Sequence, residues 1–317
     1  MSSKPIVFMS SPLFPEAREL LAEHFTLHIG AGSNSAENQR QLQQQTDAVA
    51  AIITLSDRYD QKAIAALPSS LRALATYSVG TDHIDLAAAQ ARNLVVLSTP
   101  DVLTESCADT ALLLMLGAAR RAWEGLKLVK GGQWTGWAPD QLLGKDVWGQ
   151  RLGIFGMGRI GQAIARRARG FGMQLHYHNR RQLPAAKEQG AHYHHTLAEL
   201  AAQSDFFCIA CPPSAATRGI ISSDILQMLP PGAVVVNIAR GDMVDDPALL
   251  AALKNGKVAA AGLDVFAGEP AVHPDWKTLD NVFTLPHLGS ATLATRLSMA
   301  ALLRDGLLTV LAETRPK

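Results

Sequence analysis

RLGIFGMGRIGQAIARRAR, residues 151–169, is the stretch that decides the fold. Arg151–Phe155 is mostly apolar, as in a buried strand, and a helical pattern occupies Gln162–Arg169. Between them lies Gly156-Met157-Gly158-Arg159-Ile160-Gly161, whose glycines permit a tight turn and close packing of helix on strand. The stretch therefore predicts one βα unit of a parallel, doubly wound sheet.

Working outward, apolar runs alternate with amphipathic segments on both sides of this unit. Upstream, we predict these strands and helices: Pro5–Met9, Glu16–His24, Ala48–Thr54, Gln61–Ala66, Ala73–Tyr77, Leu86–Arg92 and Leu94–Leu97. Downstream, we predict these strands: Gln174–His178, Phe206–Ala210, Ala233–Ile238, Ala259–Asp264 and Val282–Leu285. The alternation predicts an α/β fold with parallel, doubly wound sheets, built from two successive α/β series.

Two long helical patterns occur, one in the middle of the chain and one near its end. One helix is expected from Asp101 to about Lys130, after Pro100, and another from about Ala291. The segment 131–149, rich in glycine and tryptophan, is expected to form an irregular arm.

Composition excludes several classes of protein. The 317 residues carry a formal net charge of +1, without the basic field that nucleic-acid binding requires. The apolar stretch Ala111–Ala119 is too short to span a bilayer, and Met1–Phe14 lacks a signal peptide's long apolar region. Three cysteines fit a reducing compartment. We expect a cytoplasmic protein without nucleic-acid or membrane partners.

The glycine turn has the pattern of a dinucleotide site. The N–H groups and dipole at the start of the helix would bind the pyrophosphate, which assigns Gly156, Gly158, Arg159, Ile160 and Gly161 to the cofactor. The alternative is a glycine-rich turn without a ligand.

The next strand ends in HYHNRR, residues 176–181. A site specific for NAD has an acidic residue near this point for the ribose 2′-hydroxyl, whereas Asn179 is neutral. Arg180 and Arg181 are suited to a 2′-phosphate, which predicts NADP(H) in preference to NAD(H). The alternative is a pair of solvated surface arginines.

Three further motifs each follow a predicted strand: NIARGD at 237–242, GLDVFAGEP at 262–270 and PHLGSA at 286–291. In a parallel sheet the carboxyl ends of the strands share one edge, which is where ligands bind. We therefore expect Arg240, Glu269 and His287 to lie near the glycine turn. Taken singly, a structural salt bridge or a polar rim histidine would explain each of them.

Together these motifs resemble the D-isomer-specific 2-hydroxyacid dehydrogenase family, over essentially the whole chain. Arg240 and Glu269 are 29 positions apart, and Glu269 and His287 are 18 apart, as in the family. SVGTDHID at 78–85 and TPDVLTE at 99–105 belong to the resemblance. GQWTGW at 132–137 and the missing acid after the second Rossmann strand point to the glyoxylate/hydroxypyruvate reductase branch.

The resemblance implies reduction of a small 2-keto acid to the D-2-hydroxy acid in a homodimer. His287 would protonate the carbonyl oxygen, and Glu269 would favour the protonated imidazole. Arg240 and the backbone of Val79-Gly80 would bind the substrate carboxylate. Our hypothesis is that Trp137, on the arm, closes the substrate pocket of the partner subunit. The alternative is that Trp134 and Trp137 only pack within the arm.

The resemblance also extends the set of cofactor residues. Asp264 would hold the nicotinamide carboxamide. Either Val102 or Thr104, together with Pro212 and Ile238, would shape the nicotinamide pocket. The full set expected to contact the cofactor adds Asn179, Arg180, Arg181, Cys211, Thr217, Arg240, His287 and Gly289 to the glycine turn. The resemblance further implies two doubly wound parallel-sheet domains with an interdomain cleft. A Rossmann domain at 100–286 would bind NADP(H), and a discontinuous flavodoxin-like domain at 1–99 and 287–317 would bind substrate.

Two rival functions use the same scaffold. One is a dinucleotide-sensing protein similar to the transcriptional corepressor branch of the family, which can keep the Arg-Glu-His set. The other is an NAD-linked oxidation of formate or phosphite.

Two patterns suggest metal or redox chemistry, and we favour neither. Cys208 and Cys211 have CxxC spacing, but residues three apart on a strand point to opposite faces. His176 and His178 share a strand face, and more histidines cluster at 192–195, but no carboxylate or cysteine joins them at ligand spacing. We therefore expect no metal.

Overall fold

The computed structural model describes residues 4–30 and 34–313. It divides into two compact units, Met1–Leu103 with Ala291–Lys317, and Thr104–Ser290. These boundaries lie four residues after those expected at 99 and 286. The outer ends of the domain expected at 1–99 and 287–317, namely residues 1–3 and 314–317, lie outside the described residues, as do residues 31–33.

The regular elements of the described residues follow in chain order. They are β1 (Ile6–Met9), α1 (Pro15–Ala22), β2 (Thr26–Ile29), α2 (Ser35–Gln44), β3 (Ala50–Ile53), α3 (Gln61–Ala65), β4 (Ala73–Thr76), α4 (Leu86–Ala91), β5 (Val95–Leu97), α5 (Thr104–Ala119), α6 (Ala122–Lys130), β6 (Arg151–Phe155), α7 (Arg159–Arg169), β7 (Gln174–His178), α8 (Ala185–Glu188), β8 (His192–Tyr193), α9 (Leu197–Ala202), β9 (Phe206–Ile209), α10 (Ser223–Met228), β10 (Ala233–Asn237), α11 (Asp246–Lys254), β11 (Val258–Leu263), β12 (Val282–Thr284) and α12 (Leu293–Glu313). Short 3₁₀ helices lie at Gly241–Met243 and Pro274–Lys277.

The first unit is a parallel sheet with strand order β2-β1-β3-β4-β5. This is the flavodoxin-like strand order expected for this domain. Strands β3 and β4 are wholly buried, and the core beside them is built on Phe8, Leu42, Ile64 and Leu74. Helix α12 packs on α1, β4 and β5, so the C-terminal helix completes the N-terminal sheet.

The second unit is a parallel sheet with strand order β12-β11-β10-β9-β6-β7-β8. From β6 the chain first adds β7 and β8 on one side and then returns to add β9 to β12 on the other. This is the Rossmann order, and the direction reverses between β6 and β9, where such sheets bind their ligands. Helix α5 packs on α7 and on β10, β11 and β12, while α9, α10 and α11 form another helical layer.

The single helix expected from Asp101 to about Lys130 is wrong. Asp101 has a φ of +70° and lies before the helix, which begins at Thr104. The helix then ends at Ala119, and Arg121, with a φ of +53°, separates α5 from α6. No glycine or proline marks this break, so the sequence pattern did not reveal it.

Other elements differ from expectation at their ends or were not predicted. The helix after the glycine turn begins at Arg159 instead of Gln162, because Gly158 is its N-cap. Strand β2 and helix α2 were missed, the latter because SAENQRQLQQ is almost entirely polar. Strand β8, two residues long, was also missed.

The segment 131–149 is irregular, as expected. Its three indole side chains stay exposed: Trp134 is 54%, Trp137 81% and Trp148 76% accessible. Among residues 4–30 and 34–313, no helix combines the length and apolar character needed to cross a bilayer.

Candidate active site

The residues singled out in the second unit follow the carboxyl ends of adjacent parallel strands. The glycine turn follows β6, Cys211 follows β9, and Arg240 follows β10. The segment 264–269 follows β11, and His287 follows β12. Because these strands are neighbours in one sheet, one edge of the second unit carries all five groups.

The Arg240 turn is held by Asn237, which is 1% exposed. The Asn237 amide nitrogen donates to the carbonyl of Arg240 at 2.8 Å, and its oxygen accepts from the N–H of Ala239 at 3.0 Å. A Cβ at Gly241 would lie 1.8 Å from the backbone carbon of Phe266. Only glycine therefore lets this turn pack against the segment after β11.

Asp264 holds the turn that carries His287. Its Oδ1 accepts from the N–H of Leu288 at 2.6 Å, and its Oδ2 accepts from the N–H of Gly289 at 2.8 Å. The Asp264 carbonyl accepts from the N–H of His287 at 2.8 Å. Burial raises the pKa of Asp264, although these hydrogen bonds and the nearby His287 oppose the rise. The buried carboxylate of Asp264 thus fixes the backbone around His287, whose φ is +56°.

Glu269 and His287 are paired. Nδ1 of His287 lies 2.8 Å from Oε2 of Glu269, and Oε1 of Glu269 accepts from the N–H of Phe266 at 2.6 Å. Burial alone would raise the pKa of Glu269, but hydrogen bonds from His287 and Phe266, and the charge of Arg240, bring it below its usual value. The pair leaves Nε2 of His287 as the ring nitrogen available for proton transfer.

The glycine turn has the geometry of a phosphate cradle. Gly156 has a φ of +103°, and a Cβ there would lie 2.4 Å from the backbone nitrogen of Cys211. A Cβ at Gly161 would lie 2.2 Å from the carbonyl oxygen of Gly156, whereas the space beside Gly158 is open. The first turn of α7 has backbone N–H groups without helical partners. An anionic group can therefore approach the backbone at Gly158.

Asn179 supports this turn from the end of β7. Its Oδ1 accepts from the N–H of Met157 at 2.7 Å. Arg180 and Arg181 are exposed, and neither forms an ion pair with any residue of the described ranges. The segment 176–184, HYHNRRQLP, contains no acidic residue.

In the first unit, the expected carboxylate-binding loop follows β4. Val79 is 38% exposed and Gly80 is half-buried. The Ser78 hydroxyl donates to the carbonyl of Gly80 at 2.7 Å, and the Ser78 carbonyl accepts from the N–H of Thr99 at 2.9 Å. Both bonds lie on the buried side of the loop.

A family model, described as D-isomer specific 2-hydroxyacid dehydrogenase, NAD binding domain, matches residues 112–289. A glyoxylate reductase of Pyrococcus furiosus is 41% identical over 310 residues, covering 96% of this chain and 92% of the relative. This chain belongs to the D-isomer-specific 2-hydroxyacid dehydrogenase family.

Other members of the family support the same placement. The glyoxylate/hydroxypyruvate reductase B of Serratia proteamaculans is 40% identical over 313 residues, covering 98% of this chain and 96% of the relative. A solved structure of an NADPH-dependent glyoxylate/hydroxypyruvate reductase from Sinorhizobium meliloti, in complex with NADP and malonate, superposes with a TM-score of 0.87. It is 35% identical, and the match covers 98% of this chain and 94% of that one. The resemblance to the reductase branch is thereby confirmed.

The remaining expected cofactor residues of this dehydrogenase family member lie in the second unit. Thr104 is the first residue of α5, and Ile238 is half-buried after β10. Cys211 is buried at the end of β9, and Pro212 beside it is exposed. The hydroxyl of Thr217 accepts from the N–H of Ser214 at 2.7 Å, which closes the loop after β9.

Sequence reasoning missed two side chains at this edge, Asn237 and Cys107. A Cβ at Gly289 would lie 3.1 Å from the Sγ of Cys107, which places this thiol beside the Asp264–Gly289 contact. Burial, followed by the charge of Asp264, raises the pKa of Cys107 to about 12. The thiol is therefore protonated and contributes to packing only. Asn237 could have been noticed as a polar residue ending an apolar strand, AVVVN.

The cysteine and histidine patterns lie apart from these contacts. Cys208 and Cys211 are both free and buried, and burial raises the pKa of each thiol to about 12. His176 lies opposite His192 in the β7–β8 ladder, and its Nδ1 is 2.9 Å from Nε2 of His194. Within residues 4–30 and 34–313, no three His, Cys, Asp or Glu side chains are arranged to hold a metal ion.

Proposed function

We propose that this protein uses NADPH to reduce a small 2-keto acid, glyoxylate or hydroxypyruvate, to the D-2-hydroxy acid. The observation that carries the proposal is the 2.8 Å contact between Nδ1 of His287 and Glu269, at the sheet edge that also carries Arg240 and the glycine turn. The names of the reductases among its relatives support the substrate class.

The residues of the second unit fit a dinucleotide. The open space at Gly158 and the start of α7 suit a pyrophosphate, because backbone N–H groups and the helix dipole favour an anion there. Thr104, Cys211, Pro212, Thr217 and Ile238 would line the rest of the path. The bound cofactor supplies the hydride that forms the new C–H bond at C2 of the keto acid.

The proton for the carbonyl oxygen would come from Nε2 of His287. The Nε2–H proton would be transferred to the carbonyl oxygen, which gains the electron pair of the C=O bond when C2 is reduced. His287 is left neutral and takes a proton from water before the next turnover. The carboxylate of Glu269 stabilises the positive charge of the imidazole before transfer and holds the ring through Nδ1.

Arg240 would bind the substrate carboxylate and stabilise the developing oxyanion. Its turn is fixed by Asn237 and by the fit of Gly241, so the guanidinium starts from a defined backbone position. The family resemblance also implies that the N–H groups of Val79 and Gly80 bind a substrate carboxylate. On this proposal the first unit provides substrate contacts and the second holds the cofactor.

Arg180 and Arg181 support the preference for NADPH. They are exposed cations without an acidic partner in the described ranges, directly after the strand whose end meets the ribose in Rossmann sheets. Oδ1 of Asn179 already accepts a hydrogen bond from the N–H of Met157. The segment 176–184 has no carboxylate that would repel a phosphate at the ribose 2′ position. A 2′-phosphate would gain charge-assisted hydrogen bonds here.

We further propose a homodimer in which the arm contacts the second copy, as the family resemblance implies. Trp134, Trp137, Leu143 and Trp148 expose large apolar surfaces on the arm, and Val129 does so at the end of α6. Trp137 would cover the partner's substrate pocket and limit substrate size. Equal activity of wild type and Trp137→Ala on small and bulky keto acids would contradict that role.

The proposed function is tested by NADPH consumption with glyoxylate and with hydroxypyruvate, run beside NADH at matched concentrations. We expect turnover with NADPH, slower turnover with NADH, and a product of D configuration by chiral chromatography. NADPH binding without turnover of either keto acid would overturn the proposal. The corepressor-like alternative is not favoured, because the relatives described above are named as reductases.

A further inference from the structure

Three buried polar side chains lie beneath the Val79–Gly80 loop of the first unit. Thr76 is 0%, Ser78 6% and His83 8% exposed. Oγ1 of Thr76 lies 2.9 Å from Oγ of Ser78 and 2.9 Å from Nε2 of His83. The Ser78 hydroxyl completes the chain by donating to the carbonyl of Gly80 at 2.7 Å.

Counting hydrogen atoms fixes the direction of this chain. A carbonyl oxygen cannot donate, so the single proton of the Ser78 hydroxyl is used on Gly80. Ser78 must then accept from Thr76, whose own proton is used in that bond. Thr76 must therefore accept from His83, which requires a proton on Nε2 of the imidazole. The donors all point from His83 toward the Gly80 carbonyl.

This chain orients the peptide planes of the loop. In a trans peptide the C=O and the following N–H point in opposite directions. The Gly80 carbonyl is held inward by Ser78, and the Ser78 carbonyl is held by the N–H of Thr99. The N–H groups of Thr81 and Val79 consequently point away from the buried chain.

These N–H groups are available to a ligand. Within residues 4–30 and 34–313, the N–H groups of Val79, Gly80 and Thr81 have no hydrogen-bond acceptor in the protein. Backbone N–H donors without a partner in the protein can serve an anion such as a carboxylate. The first two were expected to bind the substrate carboxylate, and the orientation of the Gly80 peptide adds Thr81.

We propose that the His83–Thr76–Ser78 chain is a positioning network that holds the N–H groups of Val79, Gly80 and Thr81 for the carboxylate of the 2-keto acid. The inference rests on the proposed function. The three side chains do not touch substrate themselves; they set its affinity through the orientation of the loop. Loss of one bond in the chain weakens carboxylate binding and leaves cofactor binding unchanged.

The test uses Ser78→Ala and Thr76→Val, each saturated with NADPH. Oxalate serves as the probe, since it matches glyoxylate in length and cannot accept a hydride. We expect its Kd, by calorimetry, and the KM for glyoxylate to rise about tenfold in both variants, while kcat and the Kd of NADPH change less than about twofold. Thr76→Ser keeps the hydroxyl, and His83→Asn keeps an N–H donor. Both variants should therefore bind oxalate with the affinity of wild type.

Ser70→Ala is the matched control. Ser70 also donates to a backbone carbonyl in this unit, that of Ala48 at 2.8 Å, but it lies before β4 and away from the loop. It should leave oxalate binding unchanged. Wild-type oxalate affinity in Ser78→Ala and Thr76→Val would overturn the network, as would Thr76→Ser behaving like Thr76→Val.

The outcome is separable from that of the proposed function. If the wild type turns over neither keto acid yet binds oxalate, and Ser78→Ala weakens that binding, the proposed function fails and the network stands. If the wild type turns over glyoxylate but the variants keep its KM and oxalate affinity, the network fails and the proposed function stands. If the wild type does not bind oxalate, the network has no role in binding a carboxylate.

Discussion

Oε2 of Glu269 lies 2.8 Å from Nδ1 of His287, while Oε1 of the same carboxylate accepts the N–H of Phe266. The glutamate is thus anchored to the backbone of its own loop before it meets the imidazole. Its lowered pKa keeps it ionised, and this state is lost only as pH falls through that value, on the acid side of neutrality.

Glu269→Gln should lower kcat for glyoxylate about 10- to 100-fold, because a charge-assisted hydrogen bond to the imidazolium is replaced by a weaker neutral one. Steady-state rates at saturating glyoxylate measure the effect. A kcat within a few-fold of wild type would contradict a role of Glu269 in proton transfer.

Asp264→Asn should lower the free energy of unfolding by about 1–3 kcal/mol. The new amide group would face a backbone N–H, of Leu288 or Gly289, where the carboxylate now accepts two hydrogen bonds. Urea unfolding measures the loss. Asp47→Asn, at an exposed position, is the control and should be neutral. Equal stability of the two variants would show that Asp264 does not hold the His287 turn.

Gly241→Ala should abolish most activity in a folded protein. The added methyl would overlap the backbone of Phe266 and Ala267, so the Arg240 turn must move. A shift of about 1 Å at a catalytic group costs on the order of 100-fold in rate. Gly125→Ala is the control, because its nearest neighbour would be a side-chain atom of Leu142 at 3.8 Å. Circular dichroism verifies folding, and normal activity of Gly241→Ala would contradict the close fit.

The double variant Arg180→Ser/Arg181→Ser should raise the KM for NADPH at least tenfold and leave that for NADH within about twofold. The reason is that both guanidinium groups are assigned to the 2′-phosphate, which NADH lacks. Arg58→Ser, an exposed arginine of the first unit, should change neither constant. An equal rise in the KM for NADPH and for NADH would mean that the arginines bind a part of the cofactor that both dinucleotides share.

His176 should make the protein less stable in acid. Burial, and then the neighbouring His194 and His192, lower its pKa to about 4, against about 6.5 in an unfolded chain. The unfolded state therefore binds the proton first, and stability falls as pH drops from about 6.5 toward 4. The decrease in Tm between pH 7 and 5 should be smaller in His176→Gln and unchanged in His24→Gln. An equal decrease in all three would contradict this account.

Much of the site could be predicted because it sits at strand ends. Parallel strands bring their carboxyl ends to one edge, so the sequence alone predicts that the residues after β6, β10, β11 and β12 lie together. Two of these residues are in direct contact, since Nδ1 of His287 lies 2.8 Å from Oε2 of Glu269. The apolar strands themselves were found because a strand buried on both faces is continuously hydrophobic.

The supporting residues could not be predicted in the same way. The role of Asn237 depends on which backbone groups its side chain meets, and that of His83 depends on two hydroxyls that only tertiary structure places beside it. The break at Arg121 carries no helix-breaking residue, and the polar helix α2 has little hydrophobic periodicity. These features arise from packing and hydrogen bonding, which a linear pattern does not encode.

The central claim is that His287 donates the proton in an NADPH-dependent reduction of a 2-keto acid. Single-turnover oxidation of bound NADPH by saturating glyoxylate, in wild type, His287→Ala and His195→Ala, tests it most directly. We expect the rate to fall about 10²- to 10⁴-fold in His287→Ala, with NADPH affinity retained, and to equal that of wild type in His195→Ala. A His287→Ala rate within a few-fold of wild type would contradict it.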